Sequence, residues 1–257
     1  MLDNIFHCCV QKTGSQWIKA IFADKEINKL SRLQVYTYQE TMSGGFDPRN
    51  LSERTFETPF PSNTIISPLY INYDNYRNIP KSESHRTFFI MRDPRDIVVS
   101  WYYSVKYSHV PMGQIAEFRD KLNQMDICEG MKFAIEYLDG FGIFEALGSW
   151  FQSETDSNVL LVKYEDLIGH NSKDTFSKIF SHCHIDLTDK KLDKLIKKYS
   201  FKSMSKRDPG QEDKESHLRK GISGDWKNSF SEDLKSFFKQ KTGNLIKTTG
   251  YEIVENW

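Results

Sequence analysis

The chain has 257 residues, and its 35 lysines and arginines balance 35 aspartates and glutamates, so the formal net charge is zero. That length fits one large domain or two small ones, and it buries a core without help from disulfides or a structural metal. Hydrophobic residues at 38% and aromatics at 14% exclude a disordered chain. The neutral balance argues against a general nucleic-acid binder, so any basic site must be local.

Asn4-Ile5-Phe6-His7-Cys8-Cys9-Val10 opens the chain as an apolar run of strand length. A polar turn, Gln11–Gln16, follows, and the spacing of Trp17–Phe22 predicts a helix. Strand, glycine-containing turn and helix together read as a βα unit opening a parallel sheet. Ser43-Gly44-Gly45 and Asp47-Pro48 read as loop, and a short strand begins at Asn63–Ile66. Arg86–Met91 is a second buried strand, with Arg92–Asp96 as its polar turn and Ile97–Tyr107 as the next helix. There Asp93 suits an N-cap and Pro94 the first helical position.

A mostly helical stretch is expected over 114–151, then a third strand over Val159–Tyr164 leading into Glu165-Asp166-Leu167. Helices are predicted over Ser172–His182, Asp189–Tyr199 and Ser231–Thr242, and a long surface loop over Lys202–Gly224. The chain has no repeat and no linker, so it reads as a single α/β domain over 1–257. Cys8, Cys9, Cys128 and Cys183 form no C-x-x-C pair, and the apolar setting of Cys8 and Cys9 suits thiols in a reducing compartment. No run approaches ~18 apolar residues, and residues 1–12 lack a signal-peptide pattern. A cytoplasmic protein that spans no membrane is expected.

Three segments are candidate anion sites. The turn carrying Lys12, Thr13, Gly14, Ser15 and Gln16 leads into a helix start, whose unpaired N–H groups and dipole favour phosphate. A capped turn with a solvated lysine is the other reading, and the phosphate-loop pattern G-x-x-x-x-G-K-[ST] is absent. Arg92, at a strand end, can face an anion beyond the sheet's carboxyl edge, or pair with Asp93 or Asp96. Arg219-Lys220-Gly221 combines charge with a glycine that permits a loop around phosphate, though charge runs are more often solvated faces. Three such segments on a neutral chain point to a ligand with several phosphate-like groups.

These residues resemble the cytosolic-type sulfotransferases that use 3′-phosphoadenosine 5′-phosphosulfate (PAPS), over about Ile5 to Trp226. Gln11-Lys12-Thr13-Gly14-Ser15-Gln16-Trp17 is similar to the family's Pro-Lys-Ser-Gly-Thr-Thr-Trp, Arg92 and Ser100 keep its eight-residue Arg–Ser separation, and Arg219-Lys220-Gly221-Ile222-Ser223-Gly224-Asp225-Trp226-Lys227 closely copies its third motif. The resemblance implies a P-loop-like central parallel sheet flanked by helices, PAPS as cofactor and adenosine 3′,5′-bisphosphate as product. It implies that Lys12 and the turn's N–H groups hold the 5′-phosphosulfate, with Lys12 also catalytic, and that Trp17 packs on adenine. Arg92, Ser100, Arg219, Lys220 and Gly221 are implied at the 3′-phosphate, and Tyr164, Ser200 and Phe201 at other nucleotide contacts. The partner is then a small-molecule acceptor with a hydroxyl or amine, with no metal, nucleic acid or membrane, and the chain is a monomer or homodimer. A transfer-inactive nucleotide binder on the same fold, or a P-loop kinase, stands as the alternative.

One departure concerns the base. The family takes it from a Lys-Thr-His segment, and Ile65–Tyr70 here holds no histidine. Counting back from Arg92 leads to Tyr70, a poor base unless its pKa falls well below ~10. Of His7, His85 and His109, the last is the best placed by position, with an exposed or helix-capping role as its other reading; a carboxylate from residues 31–64, where the elements are not assigned, or an amine or guanidine acceptor that needs less base help are the other options.

Overall fold

A computed structural model of the chain describes residues 2–42, 45–253 and 257. Ser43 and Gly44 of the expected loop lie outside the described residues. The strands are β1 (Asn4–Cys9), β2 (Gln34–Tyr36), β3 (Thr64–Tyr70), β4 (His85–Met91) and β5 (Val159–Lys163). The helices, in chain order, begin with α1 (Ser15–Phe22), α2 (Lys25–Ser31), α3 (Tyr73–Arg77), α4 (Pro94–Tyr103), α5 (Gln114–Gln124) and α6 (Ile127–Gly140). They continue with α7 (Ile143–Ser149), α8 (Tyr164–Ile168), α9 (Ser172–His182), α10 (Asp189–Lys198), α11 (Phe201–Ser205), α12 (Glu232–Thr242) and α13 (Leu245–Thr248). Contacts divide the chain into two compact units, Met1–Arg92 with Glu145–Tyr199, and Asp93–Phe144 with Ser200–Trp257.

The first unit holds a parallel five-stranded sheet in the order β2-β3-β1-β4-β5. Every residue of β1 is buried, as expected of a central strand covered on both faces, which reads as a continuous apolar run rather than an alternation. One face packs Ile5, Ile18, Phe22, Phe88, Phe176 and Phe180 into the core. Elsewhere Trp150 stacks on Phe89 at 4.5 Å and donates its indole N–H to Ile71 O. Because β1 lies between β3 and β4, the turns leaving β1 and β4 emerge side by side at the carboxyl edge, where open α/β sheets bind ligands.

The second unit is helical. Asp93 caps α4 by accepting from Arg95 N–H, with Pro94 in the first turn. The α-helix ends at Tyr103, and a π-helical turn carries the chain through Ser104–Ser108. Trp101 of α4 stacks on Tyr137 of α6, with Phe118 and Phe133 against the same indole. The helical stretch over 114–151 is broken at Met125–Asp126, where Asp126 and Glu129 form a reciprocal capping box that restarts the chain as α6.

Candidate active site

In the first unit the turn after β1 is set by two left-handed residues, Lys12 (φ 66°) and Gly14 (φ 80°). Thr13 is fully buried and donates its hydroxyl to Val10 O at 2.8 Å, tying the turn to the strand. Gly14 caps α1, and its carbonyl accepts from Ile18 N–H at 3.0 Å. Glycine is required there on two counts: its φ disfavours a side chain, and a Cβ would stand 2.9 Å from the Tyr164 ring. The first-turn N–H groups of α1 lack intrahelical acceptors and carry the positive end of the helix dipole.

Around this turn the sheet edge gathers three of the expected residues, Arg92, Trp17 and Tyr164. Arg92, 9% exposed, donates through Nη1 to Lys12 O at 3.0 Å and lies over the Tyr164 ring at 4.6 Å. In the second unit Asp93 holds Arg95. Trp17 meets Tyr164 edge-to-face at 6.1 Å and donates its indole N–H to Tyr199 O. Gln16 is exposed. Ser15 Oγ sits 2.7 Å from Tyr70 Oη, and burial pushes the Tyr70 phenol well above its usual range, which keeps it protonated.

In the second unit Arg219 and Lys220 converge on one carboxylate. Arg219 Nη2 and Lys220 Nζ each lie 2.5 Å from Asp225, and Asn228 donates to it at 3.0 Å. Burial opposes ionisation of Asp225, but the donors Lys220, Arg219 and Asn228 outweigh it and hold its pKa at about 2. Arg219 also pairs with Glu212 and lies 4.4 Å over the Tyr103 ring. Gly221, at φ 66°, faces Phe201, whose ring leaves no room for a Cβ. Ser200 caps α11, accepting from Ser203 N–H. Among the described residues, the cluster of Arg219, Tyr103, Glu212, Asp225 and Lys220 does not include Ser100. Ser100 is half-buried on α4, and His109 is exposed where the π-helical turn ends, its carbonyl taking Arg119 Nη2.

The sulfotransferase domain family model matches residues 2–250. The chain belongs to the sulfotransferase family. It is 28% identical to Sulfotransferase 1E1 of Cavia porcellus over 268 residues, 95% of this chain and 83% of that protein. It is also 28% identical to human Sulfotransferase 2A1 over 180 residues, which are 64% of this chain and 59% of that protein. Among solved structures it is similar to a mouse sulfotransferase, SULT7A1, complexed with PAP: TM-score 0.64 and 18% identity over 97% of this chain and 86% of that one.

In the first unit the turn after β1 places backbone N–H groups at a helix start, and in the second the Arg219–Lys220 pair collects carboxylate oxygens. Sequence reasoning missed Tyr103 and Glu212, and read Asp96 as a partner for Arg92 without its bonds to Gly224 and Trp226. Tyr103 sits in an aromatic run with nothing to mark it, and Glu212 lies in a segment where charges alternate without period. Asp96 carried a signal, two residues past Pro94 in the capped turn, but its partners lie 128 and 130 residues away. Of the three histidines weighed as bases, His7 is fully enclosed and burial lowers its pKa to about 3. His85 is spent on Ser82 O at 2.6 Å and is likewise lowered by burial.

Proposed function

We propose that this sulfotransferase, acting as a single domain over 1–257, moves a sulfuryl group from PAPS to a hydroxyl or amine of a small-molecule acceptor. PAPS supplies the activated sulfuryl group, and adenosine 3′,5′-bisphosphate is left. Lys12, Thr13, Gly14, Ser15 and Gln16 hold the 5′ anionic end through backbone N–H groups and the lysine ammonium. Lys12 neutralises charge that develops on the oxygen between phosphate and sulfuryl, a role for fixed electrostatics rather than covalent chemistry. Trp17, Tyr164, Ser200 and Phe201 contact the nucleoside, while Arg92, Ser100, Arg219, Lys220 and Gly221 bind the 3′-phosphate. The protonated Tyr70 phenol shares a hydrogen bond with Ser15 and so serves as a polar support, not a base. His109 is the base candidate of this reading by its position just after the helix that carries Ser100. No described helix is long and apolar enough to cross a membrane; a cytoplasmic location is part of the proposal, supported by free buried Cys8, Cys9 and Cys183.

The observation that carries this reading is the convergence of Arg219 and Lys220 on one anion, the Asp225 carboxylate. The test is calorimetric binding of adenosine 3′,5′-bisphosphate against ADP, on the natural protein and on Arg219→Ala. Preference for the bisphosphate, lost by at least about tenfold in the variant, is expected for a charge-assisted phosphate contact. Equal binding, or preference for ADP with magnesium, would overturn it in favour of phosphoryl chemistry.

A further inference from the structure

The turn that carries Asp225 is gripped from α4 by two adjacent side chains. Asp96 is 1% exposed, and its carboxylate accepts from two backbone amides of that turn, Gly224 N–H at 2.7 Å on Oδ2 and Trp226 N–H at 2.9 Å on Oδ1. Arg95, equally enclosed, lays its guanidinium 3.6 Å from the centre of the Trp226 ring and 4.4 Å from that of Trp257. It is held there by Asp93 at 2.7 Å and Glu252 at 3.0 Å. One side chain thus fixes the backbone of the turn and its neighbour fixes the indole.

Burying a carboxylate is costly unless it accepts strong hydrogen bonds. Two charge-assisted bonds to N–H groups, at the positive end of α4, meet that cost. The two clamped amides flank Asp225, so the clamp determines where the Asp225 carboxylate stands, and that carboxylate in turn holds both Arg219 and Lys220. Gly224 has φ 75°, which lets the chain reverse between the clamped amides. A direct cap on a short 3₁₀ turn needs one acceptor; here the acceptor is a buried anion shared by both sides of the residue that orders the cations.

We propose that Asp96 is a positioning residue for the anion site of Arg219 and Lys220, acting through the Gly224–Trp226 turn and Asp225, with Arg95 as the second half of the grip. This rests on the reading that Arg219 and Lys220 take the nucleotide's 3′-phosphate. A residue that merely stabilises the unit would weaken all ligands together or lower the melting temperature. A positioning residue selectively removes the advantage of ligands bearing the 3′-phosphate.

The experiment measures calorimetric affinity for adenosine 3′,5′-bisphosphate and for adenosine 5′-monophosphate, which differ only in that phosphate. It uses the full chain, Asp96→Asn, Arg219→Ala and the double variant. Asp96→Asn replaces one acceptor oxygen by an N–H₂ that opposes an amide. The preference for the bisphosphate is expected to fall about tenfold, as for a lost charged hydrogen bond, while monophosphate affinity changes less than about twofold. The double variant is expected to lose less than the sum of the two single losses, because both act on one site and only Lys220 is left for Asp225 to order. An unchanged preference in Asp96→Asn, equal weakening of both nucleotides, or additive losses would overturn the proposal. If Asp96→Asn does not fold, Arg95→Lys carries the same comparison: it keeps the charge but loses the planar stack on Trp226, and a reduced preference supports the grip where an unchanged one refutes it. Failure of the underlying reading is distinguishable, since the unsubstituted chain would then show no preference for the bisphosphate at all.

Discussion

Arg219 is shared between two carboxylates of different standing. Asp225 is 4% exposed and clamped, whereas the Glu212 side chain is 31% exposed and reaches Arg219 from the segment that precedes it. If Arg219 receives a phosphate, Asp225 stays as the support that aims the guanidinium, and Glu212 is the group in competition. An exposed ion pair of this kind is worth little, so removing its charge gives a modest gain, about two- to fivefold in affinity for adenosine 3′,5′-bisphosphate on Glu212→Gln. The gain shrinks in higher salt, because the competing pair is itself screened. Titration calorimetry at two ionic strengths checks it; weaker binding in Glu212→Gln would instead make Glu212 part of the site's architecture. Asp225→Asn is expected to act in the opposite direction, since it frees both cations from the carboxylate that orders them.

At the scale of elements, the turn between β1 and α1 concentrates the most demand in the fewest residues. Gly14→Ala must place a methyl group 2.9 Å from Tyr164 Cε2 at φ 80°. Two penalties therefore coincide, a left-handed backbone and a clash with the ring under Arg92, and the variant is expected to lose about 1–3 kcal/mol of stability. Urea unfolding checks it, and a loss no larger than that of an exposed helix substitution would mean that Tyr164 moves aside freely. This element, and its counterpart at β4 and α4, could be read from sequence for physical reasons. A strand covered on both faces reads as a mostly apolar run, in β1 interrupted by Asn4 and His7, and Asp93-Pro94 satisfies a helix start by local chemistry alone. Residues 31–64 were opaque because their order is non-local: Arg54 is fully buried and donates to the carbonyls of Arg49, Asp47 and Tyr70 and to the Tyr38 hydroxyl. Likewise the span 202–224 has no apolar period because Arg207 organises it, binding the carbonyls of Gln211, Leu218 and Arg219. The stop at Met125 was legible in principle from Asp126 and Glu129, a capping-box spacing hidden inside a long helical pattern. The three anion-binding segments were readable as separate pieces; what orders the third, Asp96 and Asp225, is fixed by long-range contact that spacing does not reveal.

For the molecule as a whole, the buried histidine of β1 governs how stability responds to acid. His7 is fully enclosed, with Nδ1 2.8 Å from Ser67 Oγ, its ring stacked on Phe88 at 5.0 Å, and a buried Nε2 without a hydrogen-bond partner among the described residues. Burial therefore holds its pKa down at about 3 in the folded chain, against about 6.5 when unfolded. Between those values the unfolded chain takes up a proton that the folded one refuses, so stability falls as pH falls, approaching about 1.4 kcal/mol per pH unit. Above about pH 6.5 the imidazole is neutral in both states and the slope from this group vanishes. His85 and His182 are also lowered by burial and add to the trend, while Asp225, depressed to about 2, contributes only as pH drops below about 4. His7→Gln isolates the first effect, because the amide retains a group able to bond Ser67 but cannot titrate. Denaturant midpoints at pH 7.0, 6.0, 5.0 and 4.5, values chosen to span roughly the window in which only one state is protonated, should show the natural protein losing stability more steeply than the variant. The difference between the two curves should grow toward about one bound proton at the acid end. Parallel curves would mean that the ring is reached by protons in the folded state, and hence that the sheet opens at β1 more readily than its burial implies.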